Sequence, residues 1–305
     1  MESIKLKCPA TIANMVCGFD VLGMAIEAPF DELVLSKRME PGISIRHQDD
    51  YGLSERPEEN ILGVVLQKII LEKNIQSGFD ILVTKHIKPG SGLGSSAASA
   101  AGIVVAADKL LQLQLSKEES IRFAMEGEFF ATGSRHADNI APCLFGGLRL
   151  VRDLETLDVV DLNMPDLHVA VVHPQIELKT SDARKVLPKE IPLNTAVKQW
   201  GNLAGWITGC LKGDKELMKR SMQDYVVEPA RSRLIPGYDE VMTLLSLKGI
   251  IGGGISGSGP SLFLLTEDEN TAISVADKMK AVYEKQEIAH KTYVTKMSQR
   301  GVDEF

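Results

Sequence analysis

The chain has 305 residues, 44% of them hydrophobic and 25% charged, with 34 Lys+Arg against 41 Asp+Glu and a formal net charge of −7. That composition is globular and excludes intrinsic disorder, collagen and the small disulfide scaffolds. A prior of ~150 residues per domain gives about two domains, and an acidic balance without any basic run interleaved with aromatics excludes nucleic acid as the expected partner.

The N-terminus, Met1 to Lys7, alternates charged with apolar residues and lacks the basic stretch and apolar run of a signal peptide. No apolar stretch approaches the ~20 residues that cross a bilayer. Cys8, Cys17, Cys143 and Cys210 stand singly without C-x-x-C spacing, which gives neither a zinc site nor a disulfide framework and points to a reduced, cytoplasmic protein.

In chain order, Ile4, Leu6 and Cys8 alternate with Lys5 and Lys7, the pattern of a half-buried strand over 3–8. Further strands are predicted at 31–37, 43–47 and 79–86. Pro57-Glu58-Glu59 opens a helix whose apolar stripe runs from Ile61 to Ile70. A small-residue helix is predicted from about 95 to 113, and Ser116-x-x-Glu119 is a capping box opening another that reaches about 131. Strands return near 147–151, 157–162 and 167–172.

Around Asn163-Met164-Pro165-Asp166 the sequence turns polar, and a domain boundary is expected there, giving units 1–163 and 164–305. The second unit reads as helices at 181–187, 194–211, 214–225 and 238–247, a strand at 261–266, a helix at 269–285 and a strand at 291–297. Few strict β-α-β alternations predict α+β layering rather than a doubly wound sheet. Trp200 and Trp206, both within 194–211, are expected in the core. His47, His86, His168, His173 and His290 show no metal-binding spacing and read as structural or surface residues.

The most informative segment is Lys88-Pro89-Gly90-Ser91-Gly92-Leu93-Gly94-Ser95-Ser96-Ala97-Ala98, between a predicted strand and a predicted helix. Its glycines let backbone approach a ligand, and the helix turns its free N–H groups and positive dipole end toward the loop. An anion, most simply a polyphosphate, is expected there, held by loop amides, the Ser95 and Ser96 hydroxyls and a metal. The loop has no G-K-[S/T], so it is not a Walker A sequence. Gly92-x-Gly94-x-x-Ala97 fits a loose dinucleotide pattern, but Asp108 comes too early to be its acidic partner. Gly252-x-Gly254-x-x-Gly257 fits by letter alone and reads as a glycine-rich turn feeding the strand at 261.

Three separated segments complete a pattern: Pro9-Ala10-Thr11-Ile12-Ala13-Asn14 with Gly18-Phe19-Asp20, the loop from Gly90 to Ala98, and Ile255-Ser256-Gly257-Ser258-Gly259-Pro260. In this order they resemble the three signature motifs of the GHMP kinases, which phosphorylate small alcohols with MgATP. Gly18-Phe19-Asp20-x-Leu22-Gly23, His136-Ala137-Asp138-Asn139-x-Ala141-Pro142 and Glu228-Pro229-x-Arg231 are most similar to the homoserine kinases of threonine biosynthesis. Two departures are visible: proline stands directly before Gly90, and Met15-Val16-Cys17 replaces the more usual Leu-Gly-Pro.

The resemblance implies a two-domain α+β GHMP kinase fold, an N-terminal ATP-binding domain like ribosomal protein S5 domain 2 and a C-terminal ferredoxin-like domain, with the site between them and a possible homodimer. It implies ATP and Mg2+, with Pro89, Gly90, Ser91, Gly92, Leu93, Gly94, Ser95, Ser96, Ala97 and Ala98 at the nucleotide and Ser96 and Glu128 at the metal. Asn14, Ser96, Glu128 and Asp138 are its catalytic candidates. Asp138 is either a base for the hydroxyl proton or a bystander in a mechanism without an enzymic base. Asp20, His136, Asn139, Arg184 and Arg231 are the substrate candidates, with the arginines on a carboxylate and Asp20 and Asn139 on an ammonium; Arg233 rivals Arg231. The turn around Asn60 is a further candidate for adenine. The function so implied is ATP-dependent phosphorylation of L-homoserine to O-phospho-L-homoserine. A GHMP kinase for another small alcohol, or a non-catalytic nucleotide-binding regulator of the same fold, is the alternative.

Overall fold

Alternation along the chain builds the first sheet. β1 (Ser3–Ala13) and β2 (Leu22–Arg38) pair antiparallel over most of their length, and β4 (Gly78–Thr84) adds to the far side of β2 with β3 (Ile43–His47) parallel beyond it. β5 (Leu148–Asp153) and β6 (Asp158–Leu162) extend the inner end of β2. The chain described is a computed structural model covering residues 2–176, 178 and 180–305; Met1, Glu177, Lys179 and the side chains of Thr180 and Ser181 lie outside the described residues.

Three helices cover this sheet: α1 (Ile61–Glu72), α2 (Ser95–Leu111) and α3 (Lys117–Thr132). Asn60 accepts from the Leu62 N–H and caps α1, while Ser116 and Glu119 form the expected capping box on α3. α2 carries alanines and Ser99 on its inner side, so it lies close to β1, with Cys8 directly beneath Gly102. A short helix, α4 (Ile140–Phe145), was not anticipated, because Pro142 falls inside its first turn, where a missing N–H is harmless.

The second sheet has four antiparallel strands: β7 (His168–Pro174), β8 (Ile250–Ile255), β9 (Leu262–Thr266) and β10 (His290–Lys296), in the order β10-β7-β9-β8. With helices between β7 and β8 and α10 (Glu269–Lys285) between β9 and β10, this is the β-α-β-β-α-β connection of ferredoxin-like layers. A last strand, β11 (Asp303–Glu304), returns to pair with β1.

Three expectations are corrected. The helix predicted over 214–225 is α7 (Lys215–Ser221), which stops early because the Asp224 carboxylate accepts from the N–H groups of Val226, Val227 and Glu228 and so starts α8 (Glu228–Arg231). Residues 252–254 lie within β8 instead of a turn. A Cβ at Gly254 would stand 1.9 Å from Glu228 Oε1, so the glycine admits a buried carboxylate, and the turn falls at 256–260. Trp206 is fully buried but Trp200 is 60% exposed. Six residues apart on α6 (Leu193–Lys212), the two indoles point about 120° apart and cannot share one buried stripe.

The predicted helix at 238–247 is α9 (Tyr238–Met242) followed by a 3-10 turn over Thr243–Ser246, and the predicted helix at 181–187 is α5 (Thr180–Lys185). All four cysteines are buried and free, and no helix among the described residues is long and apolar enough to cross a membrane.

Candidate active site

The glycine loop, residues 88–94, joins β4 to α2 and is fixed from both sides by backbone hydrogen bonds. The Thr11 N–H donates to Leu93 O (3.1 Å), and the Ser261 N–H donates to Ser91 O (3.1 Å). The Ser256 hydroxyl donates to Gly92 O (2.7 Å), and Asn14 Nδ2 donates to Gly257 O (2.9 Å). The three motifs, far apart in sequence, thus knot into one wall of a cleft between the sheets.

Gly92 and Gly94 adopt φ of +81° and +71°, and their missing side chains serve this knot. A Cβ on Gly92 would stand 2.6 Å from Ser256 O, and one on Gly94 2.0 Å from Thr11 Oγ1. These two glycines therefore admit neighbouring protein, whereas a Cβ on Gly90 would meet no atom of the described residues outside its chain neighbours closer than 3.9 Å.

Of the predicted loop residues, Pro89 to Gly92 and Gly94 to Ala97 line the cleft, while Leu93 and Ala98 pack into the core. The Ser95 hydroxyl donates to Ile87 O (2.8 Å), so of the two predicted hydroxyls Ser96 is the one without a competing protein acceptor among the described residues. Beneath the loop lies a buried ion pair that the sequence reading missed. Lys85 Nζ donates to Asp31 Oδ2, to Ser95 O (3.1 Å) and to Ser99 Oγ (3.0 Å), using all its protons. Asp31 Oδ1 accepts from the His86 and Ile87 N–H groups. The signal was legible: Phe79, Ile81 and Val83 share the buried face of β4 and Lys85 continues the alternation one residue past its end, while Asp31, Leu33 and Leu35 share a buried face of β2.

Beyond the loop stand the charged candidates. Arg184 Nη2 donates to Asp20 Oδ1 (3.1 Å) and to His136 Nε2 (2.6 Å), while its Nε is buried without a partner among the described residues. Arg231, only 2% exposed, donates from Nε to Ala183 O (3.1 Å) and from Nη1 to Gly257 O (2.9 Å). Arg233 is exposed and binds Ala230 O, so the structure brings Arg231 into the cleft and leaves its rival outside. Asn139 Oδ1 accepts from the Thr11 hydroxyl (2.6 Å), and Asn14 Oδ1 accepts from the Asp20 N–H (3.1 Å), so both amides also brace the walls.

Glu128 and Asp138 complete the cleft. Burial pushes the Glu128 carboxyl up to about 7, with Asp20 adding to the rise and Thr132 and Arg184 opposing it. Burial also pushes Asp138 up to about 7, reinforced by Asp20 and Glu128. Burial lowers His136, and so does the adjacent Arg184. Asn60, the adenine candidate, commits its amide to the α1 cap, His47 and Ser54 O; from that region Leu53 and Ile61 line the cleft instead.

Such a cleft sets a glycine loop and a helix N-terminus, where backbone N–H groups can receive an anion, beside a compact set of opposite charges, an arrangement that suits phosphoryl transfer to a small polar molecule. Residues 60–147 match the GHMP kinases N terminal domain and residues 206–285 the GHMP kinases C terminal domain, which places the chain in that class. The homoserine kinase of Chlorobaculum tepidum is 40% identical over 93% of this chain and 91% of its own length, and that of Methanococcus maripaludis is 40% identical over 93% and 94%. The crystal structure of homoserine kinase from Cytophaga hutchinsonii superposes with a TM-score of 0.96 at 44% identity, covering 100% of this chain and 98% of that one. The chain belongs to the homoserine kinase family of GHMP kinases.

Proposed function

We propose that the chain transfers the γ-phosphoryl group of ATP to the side-chain hydroxyl of L-homoserine, giving O-phospho-L-homoserine and ADP for threonine biosynthesis. The observation that carries this reading is the pairing of Asp20 with Arg184, next to Arg231, across from the glycine loop. An amino acid brings an ammonium and a carboxylate, and this arrangement offers each its opposite charge, with spare guanidinium donors for the carboxylate. A plain alcohol would leave the Asp20–Arg184 pair to itself and gain nothing from either charge.

In the proposed reaction the loop amides and the N-terminus of α2 hold the triphosphate, with Ser96 beside them. Asp20 and Asn139 take the ammonium, Arg184 and Arg231 the carboxylate, and His136 orients Arg184. The homoserine oxygen forms the new bond to the γ-phosphorus as the bond to the β-phosphate oxygen breaks. The hydroxyl proton passes to the Asp138 carboxylate, a role supported by its burial in the cleft and by a pKa near neutrality.

The donor set fits Mg2+. No group of three His, Cys, Asp or Glu is placed for a metal among the described residues. Mg2+ bound with nucleotide takes only one or two protein oxygens, the remainder coming from phosphate and water, and Glu128 with the Ser96 hydroxyl supplies them. Bound there, it would neutralise charge on the phosphates.

We further assign units 1–163 and 164–305, supported by the separate sheets on either side of residue 163, although β11 crosses back to the first. A homodimer in the cytoplasm is part of the same reading. Its support is the exposed apolar stripe of Leu193, Val197, Trp200 and Leu211 along α6. An assay of ADP formation over a panel of alcohols tests the function: turnover confined to L-homoserine supports it, another preferred alcohol redirects it, and no turnover with any would indicate a regulator.

A further inference from the structure

Phe19 precedes Asp20 in its motif and, unlike that carboxylate, has no role in the reaction described so far. Its half-buried ring lines the cleft. The Arg231 guanidinium carbon lies 5.2 Å from the ring centroid and that of Arg184 lies 5.8 Å away, both over the ring. Two cations from different helices, α5 and α8, therefore contact one aromatic ring.

That contact answers a physical difficulty. Arg231 is almost wholly buried, and its protein hydrogen bonds go to two backbone carbonyls rather than to a carboxylate. Burial lowers its pKa, with the Arg184 charge adding to the fall and Asp20, Asp224 and Asp138 opposing it, so the two guanidinium groups repel each other inside a cleft whose carboxylates attract both. The negative face of an aromatic ring attracts guanidinium groups within about 6 Å, more strongly where water is excluded. The ring is itself held in place. The Gly18 N–H donates to Asn14 O (2.8 Å), the Leu22 N–H to Gly18 O (2.9 Å), and Gln199 Nε2 to Cys17 O (2.9 Å).

We infer that Phe19 is a positioning residue for the substrate carboxylate: its ring attracts the Arg184 and Arg231 guanidinium groups against their mutual repulsion and holds both at the cleft for one carboxylate. The inference rests on the reading that these arginines bind that carboxylate. It adds that the ring's electrostatics, and not only its volume, set homoserine affinity.

The test compares KM for L-homoserine and for ATP in the full chain. Phe19→Leu is expected to raise the homoserine KM roughly 5- to 30-fold, while Phe19→Tyr, which keeps the ring face, stays within about threefold of wild type. The ATP KM and melting temperature should change little in either. Because Phe19→Leu also alters packing, pentafluorophenylalanine in place of Phe19 supplies a second arm, keeping the ring's shape while reversing its quadrupole. It too is expected to raise the homoserine KM. Arg184→Ala and Arg231→Ala serve as controls on the underlying reading. If they raise the homoserine KM and neither Phe19 replacement does, the positioning role is overturned; if the arginine variants leave it unchanged, the carboxylate reading itself fails.

Discussion

Truncating Arg231 to alanine should separate its contribution to substrate from its contribution to the fold. The side chain donates to Ala183 O and Gly257 O and lies over Phe19, so Arg231→Ala leaves two acceptors without their donor. Charge-assisted hydrogen bonds of this kind contribute ~1.5–3 kcal/mol each, but removing the cation also relieves a desolvation penalty of several kcal/mol. The two largely offset, and a net loss of about 1–2 kcal/mol of stability is expected. No such offset exists for the substrate carboxylate, which loses a buried cationic partner. That loss corresponds to ~2–4 kcal/mol in kcat/KM, or roughly 30- to 1,000-fold. Steady-state kinetics with L-homoserine at saturating ATP, beside a urea titration, measures both. Arg233→Ala, altering an exposed residue, should stay within about twofold of wild type. If Arg231→Ala kept kcat/KM within about threefold, or if Arg233→Ala fell as far, the assignment of the carboxylate site would be wrong.

Three further outcomes follow from the charges. Glu128→Gln should keep the fold and lower kcat roughly 100-fold or more, since a neutral amide replaces a charged oxygen donor for a hard cation; activity within about twofold of wild type would reduce Glu128 to a helix residue without a role. Lys85→Met should destabilise the chain by about 3–5 kcal/mol in urea, because Asp31 is left in the core without its counterion, and a loss below about 1 kcal/mol would contradict that picture. Glu228 is buried, accepts from the Ile255 N–H and the Tyr238 hydroxyl, and is raised from 4.5 to about 7, chiefly by burial. Its native form therefore holds a proton more tightly than its unfolded form, and the stability it contributes is complete below about pH 4.5 and lost as pH rises through about 7. Glu228→Gln should remove that loss, worth up to about 3 kcal/mol, so urea midpoints should favour the variant at pH 8 but not at pH 4.5; equal differences at both would refute the linkage.

Local patterning carried much of the fold. The Ser116 capping box and the alternating strands form where spacing alone put them, whereas Pro57-Glu58-Glu59, expected to open a helix, forms a 3-10 turn and α1 starts after it, capped by Asn60. Legibility failed where tertiary contact decides. β8 looked like a loop because its glycines make room for Met222, Glu228 and the neighbouring strand. α7 ends where the Asp224 side chain competes for the next backbone N–H groups. For the site, the glycine loop was readable as an anion cradle from residue types alone, but Glu128, Arg184 and Arg231 needed the resemblance, since one glutamate or arginine on a helix is ordinarily a solvated face. Lys85, Asp31 and Phe19 were readable in position but not in purpose, because the partners of each lie on other elements of the fold.

The central claim is that this cleft phosphorylates an amino-acid alcohol. The most direct measurement is the ratio of kcat/KM for L-homoserine to that for 4-hydroxybutyrate with MgATP, with the phosphorylated product followed by phosphorus NMR. Polar sites reject an analogue that leaves their buried groups unpaired by ~10⁴ or more, so the ratio should reach about that size, with phosphate on the homoserine side-chain oxygen. Equal turnover of the two alcohols, or ADP formation without phosphorylated homoserine, would contradict the account.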